Sequence, residues 1–374
     1  MRLLICAGGT GGGVYPALAV LQALNDLSPD WQVDGDLLWI GGEKGMEGEI
    51  ISRLNIDYQE IPAAGLHGVG VRNLPGNLSK LFRGYLKAGR IMREFKPEAL
   101  FFTGGYLAVP TAYAGRSVPS LVFIPDIEPG LAIRTIASLA DRIAVSVEES
   151  QNYTPPGKPV LVSGYPVRKK MLDWTREKAL EALDISPHLP VVLVFGGSKG
   201  ARSINQALVC ILPELLEEMQ VLHITGRLDW EAMQANREQL RETAQQNYKL
   251  YPFLHERMGA ALRSSDLVVS RSGASILGEY PMFELPSILV PYPYAWRYQK
   301  TNASYLVDKG AAVLIRDEDL AEKLLPEIQS LVRNGEKRKA MRAALRQLAR
   351  PDAAKKIARQ LFNMANQAAG GDKK

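Results

Sequence analysis

The sequence predicts an α/β protein built from two doubly wound domains, each with a parallel sheet. Three observations lead there. Short apolar runs alternate with longer segments of helical period along the 374 residues, as expected of strands covered on both faces by crossover helices. The opening LLICAGGTGGGVYPALAV (3–20) is echoed by VVLVFGGSKGARSINQAL (191–208), with Gly8 matching Gly196. Between the two copies lies TPPGKPVLVSGYPVR (154–168), a Pro/Gly-rich stretch suited to a domain boundary.

The expected elements follow in order. RLLIC (2–6), LLWI (37–40), ALFF (99–102), SLVFI (120–124) and IAVSV (143–147) read as buried strands, and PVLV (159–162) closes the first set. The second set is VVLVF (191–195), VLHI (221–224), YKLY (248–251), LVVS (267–270), SILV (287–290) and AVLI (312–315). Helical periodicity covers 16–27, 78–95, 201–217, 230–246 and 298–309, and resumes after Leu314 as far as about Asn366. The reading is thus two Rossmann-like domains, 1–160 and 161–345, facing a central cleft where ligands of such folds collect. A C-terminal helix (346–366) packs back on the first domain, and a disordered tail (367–374) follows.

Composition narrows the function classes. An apolar fraction of 46% and a charged fraction of 23% exclude a disordered or coiled-coil chain. Two cysteines, Cys6 and Cys210, make neither a disulfide framework nor a four-ligand zinc site, and suit a reducing compartment. The four histidines (His67, His188, His223 and His255) lack metal spacing, so no metal and no cofactor are expected. The apolar run after Arg2 ends at Ala7, too short for a secretory core, and the uncharged stretch 99–115 is interrupted by Gly104, Gly105 and Pro110. A net charge of +5 is a mild bias toward anionic partners.

Three loops carry the chemistry. GGTGGG (8–13) joins a strand to a helix start, where glycines admit a ligand to the backbone and unpaired N–H groups favour a phosphate or a sugar hydroxyl. It lacks the Gly-Lys-Ser/Thr of a Walker loop and does not fit G-x-G-x-x-G. Read without a ligand, it is a tight turn. GGSKGARS (196–203) repeats the device with Ser198, Lys199 and Arg202 set for a diphosphate. SRSGASILGE (270–279) brings Glu279, whose carboxylate can grip the vicinal hydroxyls of a ribose. Each of these charged residues, taken alone, is as readily a solvated side chain.

The segment from Arg72 to Lys96 holds seven basic residues against one acid, Glu94. Lys80, Arg83, Lys87 and Arg90 fall on one side of a helix and Leu78, Phe82, Tyr85 and Met92 on another. Such a helix suits an anionic membrane surface, or else lays its apolar stripe into the core. No nucleic-acid-binding motif accompanies the charge.

Taken together, GGTGG-x-VYPALAV, TGGY (103–106), PGLA-x-R (129–134), GYPVR (164–168), GGSKGARSIN (196–205), SRSGAS…GE (270–279) and QKTNA (299–303) resemble the MurG family, the N-acetylglucosaminyltransferases that make lipid II of peptidoglycan. The resemblance runs in order through nearly the whole chain. It implies a GT-B fold and an inverting, metal-independent glycosyltransferase. The donor would be UDP-N-acetylglucosamine and the acceptor the muramoyl 4-hydroxyl of lipid I, undecaprenyl-pyrophosphoryl-N-acetylmuramoyl-pentapeptide. It also implies a peripheral protein at the cytoplasmic face of the cell membrane, meeting a polyprenyl-linked acceptor at an anionic surface, with no nucleic acid partner. By motif, Thr10, Gly11 and Gly12 would line the reaction centre, and Arg168 and Ser198 would contact the donor. Phe253 and Leu254 would flank the uracil, Glu279 would hold the ribose, and Gln299 and Asn302 would reach the donor sugar and its phosphates.

The chain departs from that pattern at several positions. Gly13 stands where the family has its proposed basic histidine. Phe123, Ile124, Pro125 and Asp126 replace a His-Glu-Gln-Asn segment, while Tyr165 and Ile133 each replace an Asn. Asp126, at the end of a strand, is the candidate general base that also binds substrate, and Glu128 is the reserve. Asp126 as a mere helix cap is the plainer alternative. Three other functions remain open: transfer to another membrane glycolipid, UDP-N-acetylglucosamine 2-epimerisation, and non-catalytic nucleotide-sugar binding.

Overall fold

The computed structural model describes all residues except 9–10, 29–30, 32, 44, 66–73, 198–199, 295–297 and 372–374. Its backbone divides into two units, Met1–Arg168 with Pro351–Lys374, and Lys169–Arg350.

The first unit runs β1 (Leu3–Ala7), α1 (Gly11–Leu27), α2 (Val33–Asp36), β2 (Leu37–Gly42), α3 (Met46–Ser52), β3 (Asp57–Ile61) and α4 (Leu74–Phe95). It continues with β4 (Ala99–Gly104), α5 (Ala108–Ala114), β5 (Ser120–Ile124), α6 (Leu131–Leu139), β6 (Arg142–Val145) and β7 (Val160–Val162). Its seven strands lie in the order β3-β2-β1-β4-β5-β6-β7, and every pairing is parallel. Leu3–Ala7 and Leu121–Ile124 have no exposure at all, which is why these strands read as unbroken apolar runs.

The second unit runs α7 (Lys169–Leu172), α8 (Arg176–Ala182), β8 (Val191–Phe195), α9 (Arg202–Glu218), β9 (Gln220–Ile224), α10 (Trp230–Glu238), α11 (Glu242–Gln246) and β10 (Tyr248–Tyr251). Then come α12 (Met258–Ser264), β11 (Leu267–Ser270), α13 (Glu279–Phe283), β12 (Ser287–Leu289), α14 (Tyr298–Asp308), β13 (Ala312–Leu314), α15 (Leu320–Arg333) and α16 (Gly335–Leu348). The sheet order is β10-β9-β8-β11-β12-β13, again all parallel. The last helix, α17 (Ala353–Gly371), returns to the first unit and packs along α1. Ala353, Ile357, Leu361 and Met364 make the stripe it buries, each larger side chain stabilising by about 1.5–3 kcal/mol.

Several expectations need correction. β3 (DYQEI) has no apolar run to betray it: only Ile61 is buried, because an edge strand presents half its surface to water. The helix expected over 230–246 is two, interrupted at 239–241, where Leu240 and Ala244 turn toward the core and Gln245 donates to the Leu240 carbonyl. The helical region after Leu314 is three helices. The last of them continues past Asn366 to Gly371, so 367–371 is helix rather than tail.

Each sheet reverses its winding direction at its first strand. In the first unit the reversal lies between β1 and β4, and in the second between β8 and β11. Open parallel sheets bind ligands in the crevice beyond the strand ends at such a point. Gly8 and Gly11–Gly13 follow β1 at the first of these points, and Gly196, Gly197 and Gly200 follow β8 at the second.

Candidate active site

In the first unit the loops after β1 and β4 touch backbone to backbone. Gly104 and Gly105 have φ of +133° and +89°, and a Cβ on Gly105 would lie 2.7 Å from the Gly8 carbonyl oxygen. Only glycine serves at Gly105, because the left-handed conformation and the close approach both exclude a side chain. The buried Thr103 hydroxyl donates to the Gly13 carbonyl at 2.6 Å and pins the first turn of α1 to β4. Gly11 and Gly12 open that turn, while Thr10 lies outside the described residues. The Arg168 guanidinium stands over the Tyr15 ring of α1 at 4.2 Å, a cation–π contact beside the same loop.

Asp126 and Glu128 follow β5, both half-buried. The N-cap of α6 is Gly130, so Asp126 is not the capping residue. Glu128 is bound to Arg134 at 3.2 Å, and Arg134 also donates to the Pro129 carbonyl at 2.9 Å. Glu128 thereby fixes its own loop. Phe123 and Tyr165, both buried, meet edge to face with centroids 5.9 Å apart.

In the second unit Arg202 is the first residue of α9; Ser198 and Lys199 lie outside the described residues. Gly200 has φ +78°, and a Cβ there would lie 2.4 Å from the Thr225 carbonyl oxygen. Glu279 is the half-buried first residue of α13. Phe253 packs edge to face on His255 at 4.5 Å, and Leu254 is buried. Ser272 links α14 to the loop after β11: its hydroxyl donates to the Gln299 carbonyl at 2.7 Å, and its own carbonyl accepts from Asn302 at 3.2 Å. The Gln299 side-chain oxygen accepts the Tyr292 N–H at 2.9 Å, which turns that amide toward the 291–294 loop. Asn302 is fully buried and acts on this loop from below.

Residues 3–145 match the N-terminal domain of glycosyltransferase family 28, and residues 191–357 match its C-terminal domain. The chain belongs to glycosyltransferase family 28. The chain is 38% identical over 413 aligned residues to the UDP-N-acetylglucosamine–N-acetylmuramyl-(pentapeptide) pyrophosphoryl-undecaprenol N-acetylglucosamine transferase of Roseiflexus sp. (strain RS-1), covering 96% of this chain and 94% of the relative. Among solved structures, Acinetobacter baumannii MurG superposes with a TM-score of 0.73 at 25% identity, over 97% and 99% of the two chains. The UDP-GlcNAc 2-epimerase of Neisseria meningitidis reaches a TM-score of 0.67 over 97% and 100% of the chains, at 14% identity. That second likeness is one of fold alone.

Two structural features of this family 28 glycosyltransferase escaped the sequence reading. Arg271 ties four segments together: its guanidinium donates to Asp317 at 2.5 Å, to the Ser203 hydroxyl at 2.8 Å, and to the Val290 and Pro291 carbonyls at 3.2 and 3.3 Å. It thereby fixes the start of α9 against the loop after β12. Its position between a strand and Ser-Gly was the available signal. A buried chain behind the same face links His223 to Tyr248 at 2.8 Å and to Asn205 at 2.9 Å. Asn205 donates to Thr225 and to Asp229 at 3.0 and 2.8 Å, so its oxygen must accept from His223 Nε2–H. His223 Nδ1 then accepts from Tyr248. Burial holds this imidazole neutral, with its pKa lowered to about 3.

The glycosyltransferase's basic helix α4 is also decided by exposure. Phe82 and Leu86 are 62% and 53% exposed, and Leu78 and Tyr85 are exposed beside them. This stripe therefore lies outside the core. Met92, expected on the same stripe, is instead buried against the sheet, with Gly84, Ala88 and Ile91 forming the inward face. A groove of about 550 Å³ beside it is lined by Arg83, Lys87 and Arg90 of α4 and by Gln59 of β3. Among the described residues no helix is long and apolar enough to cross a membrane, and no three His, Cys, Asp or Glu residues cluster to hold a metal.

Proposed function

We propose that the chain transfers N-acetylglucosamine from UDP-N-acetylglucosamine to undecaprenyl-pyrophosphoryl-N-acetylmuramoyl-pentapeptide, giving lipid II for peptidoglycan. The observation that carries this reading is the 38% identity over 96% of the chain to a relative bearing that activity in its name. The second unit holds the donor: the α9 start with Ser198 and Arg202 takes the diphosphate, Glu279 the ribose, and Phe253 and Leu254 the uracil. Gln299 and Asn302 serve the sugar, Asn302 by fixing the loop. Arg168, stacked over Tyr15, is a further candidate for donor contact by its motif.

Inversion is a single displacement. The muramoyl 4-hydroxyl attacks the anomeric carbon, the bond to the diphosphate breaks, and UDP leaves with the electron pair. The hydroxyl proton passes to Asp126, which follows β5 at the strand end where open parallel sheets place their sites, since Gly13 offers no side chain. Thr10, Gly11 and Gly12 shape the acceptor side. The exposed Phe82 and Leu86 with Lys80, Arg83, Lys87 and Arg90 suit an anionic membrane surface, which supports peripheral attachment at the cytoplasmic face to meet a polyprenyl-linked acceptor.

Incubating the purified protein with UDP-N-acetylglucosamine, with and without a lipid I analogue, tests this. UDP release only with lipid I is the expected result. Release only with a different glycolipid would move the acceptor, formation of a 2-epimer without lipid would make it an epimerase, and binding without turnover would make it a nucleotide-sugar-binding protein.

A further inference from the structure

Glu279 opens a helix too short to hold its own direction. α13 spans five residues, and Pro281 within it lacks an N–H. Its orientation therefore depends on side chains that fasten it to the rest of the unit. Tyr280, directly after Glu279, is fully buried, and its hydroxyl meets the hydroxyl of Ser270, the last residue of β11, at 2.5 Å. Ser270 Oγ–H donates to the Arg271 carbonyl at 2.9 Å, so its oxygen accepts from Tyr280. Burial pushes the Tyr280 pKa up, which keeps the phenol protonated and able to donate. The chain from Tyr280 through Ser270 to Arg271 thus runs in one direction and ties α13 to the loop after β11. Asn302 grips the same loop at the Ser272 carbonyl. At the other end of α13, Glu284 takes a left-handed φ of +50° and pairs with Arg346 of α16 at 2.6 Å. That pair is largely open to water and holds weakly, so the buried hydroxyls are the firmer anchor.

We infer that Tyr280 is a positioning residue for nucleotide recognition: its hydroxyl, through Ser270, fixes the start of α13 so that the Glu279 carboxylate meets the hydroxyls of the donor's ribose. A contact from one carboxylate to two hydroxyls tolerates little displacement, because both hydrogen bonds weaken together when the helix start moves. Phenylalanine at this position would keep the ring in the core and remove only the tether. The consequence is selective. Contacts to the diphosphate and to the uracil come from α9 and from residues 253–254, so recognition of the ribose alone should suffer.

This inference rests on the reading of Glu279 as the ribose ligand, and calorimetric titration with UDP and with 2′,3′-dideoxy-UDP tests the two apart. The wild-type protein should prefer UDP by about tenfold or more, and Glu279→Ala should erase that preference. No preference in the wild type, or one that survives in Glu279→Ala, would refute the ribose reading and the inference with it. Where the preference depends on Glu279, Tyr280→Phe should lower it at least about threefold, by weakening UDP while the dideoxy nucleotide binds as before. Ser270→Ala should do the same, and the double variant should lose no more than either single one, since the two hydroxyls act as one tether. In the transfer assay Tyr280→Phe should raise the donor KM and leave kcat near the wild-type value. An undiminished preference in folded Tyr280→Phe would overturn the inference, and so would equal weakening of both nucleotides, the mark of a general loosening. If Tyr280→Phe does not fold, Ser270→Ala decides on the same readout.

Discussion

Lowering the pH should destabilise the second unit through His223 alone by an amount the structure sets. The imidazole is fully buried and neutral, with its pKa displaced from 6.5 to about 3. Both ring nitrogens are engaged, and Nδ1 is accepting from Tyr248. The folded protein therefore takes no proton here until about pH 3, while the unfolded chain takes one below about 6.5. Stability is complete above pH 6.5 and falls as pH drops through that value toward 3. Each unit of separation is worth about 1.4 kcal/mol, so at pH 5 the loss is about 2 kcal/mol. Other groups titrate in this range, and a His223→Gln variant removes their contribution by subtraction, since glutamine stays neutral. Urea unfolding of both proteins at pH 7.5 and pH 5, followed by circular dichroism, gives the two pH differences. The wild type should lose about 2 kcal/mol more than the variant. Equal losses would refute the buried neutral imidazole, and with it the hydrogen-bond directions assigned from Asn205 to Tyr248.

Four further outcomes are expected. Asp126→Asn should lower kcat at least ~100-fold with donor KM little changed, and adding Gly13→His should restore part of it in the same assay, since a Cβ at Gly13 meets nothing closer than 3.5 Å. Glu279→Ala should weaken UDP binding by about 2–3 kcal/mol in calorimetric titration without changing the melting temperature. Gly105→Ala should cost about 2 kcal/mol, or roughly 4–8 °C in Tm, from its left-handed backbone and its approach to the Gly8 carbonyl. Replacing Phe82 and Leu86 by serine, or neutralising Lys80, Arg83, Lys87 and Arg90 together, should each abolish sedimentation with anionic vesicles while leaving UDP binding intact.

The repeated strand–glycine–helix openings were legible because two short patterns coincide there: a fully buried strand must be apolar throughout, and a backbone crowded at the strand end must be glycine. β3 left no such trace, since Asp57, Gln59 and Glu60 face water from an edge. Met92 fell on the wrong face because the apolar stripe of α4 is wider than one side of the helix and wraps from solvent into the core. At the site, the residues within motifs were readable and the isolated ones were not. Tyr280 sits in GEYPMFE, where nothing distinguishes a hydroxyl that ties two segments from a ring that merely packs until the fold places Ser270 against it. Arg271 is one arginine among many until three loops close around it.

The return of α17 to α1 has a consequence for how the protein comes into being. Residues 1–168 leave the ribosome before the second unit, yet the helix that covers α1 lies within 351–374, after the whole of that unit. Val14, Ala17, Leu21 and Leu24 of α1 are among the buried residues of a helix whose covering partner is made after the second unit. A nascent chain can therefore complete its second unit while the first still shows an apolar flank, because domains fold as they emerge and the second is contiguous. The turn that begins at Gly11 is then buttressed only once α17 has been made. A chain cut between Arg350 and Ala353 keeps every element of the second unit and leaves the α1 flank of the first uncovered, so such a truncation should aggregate and lose activity.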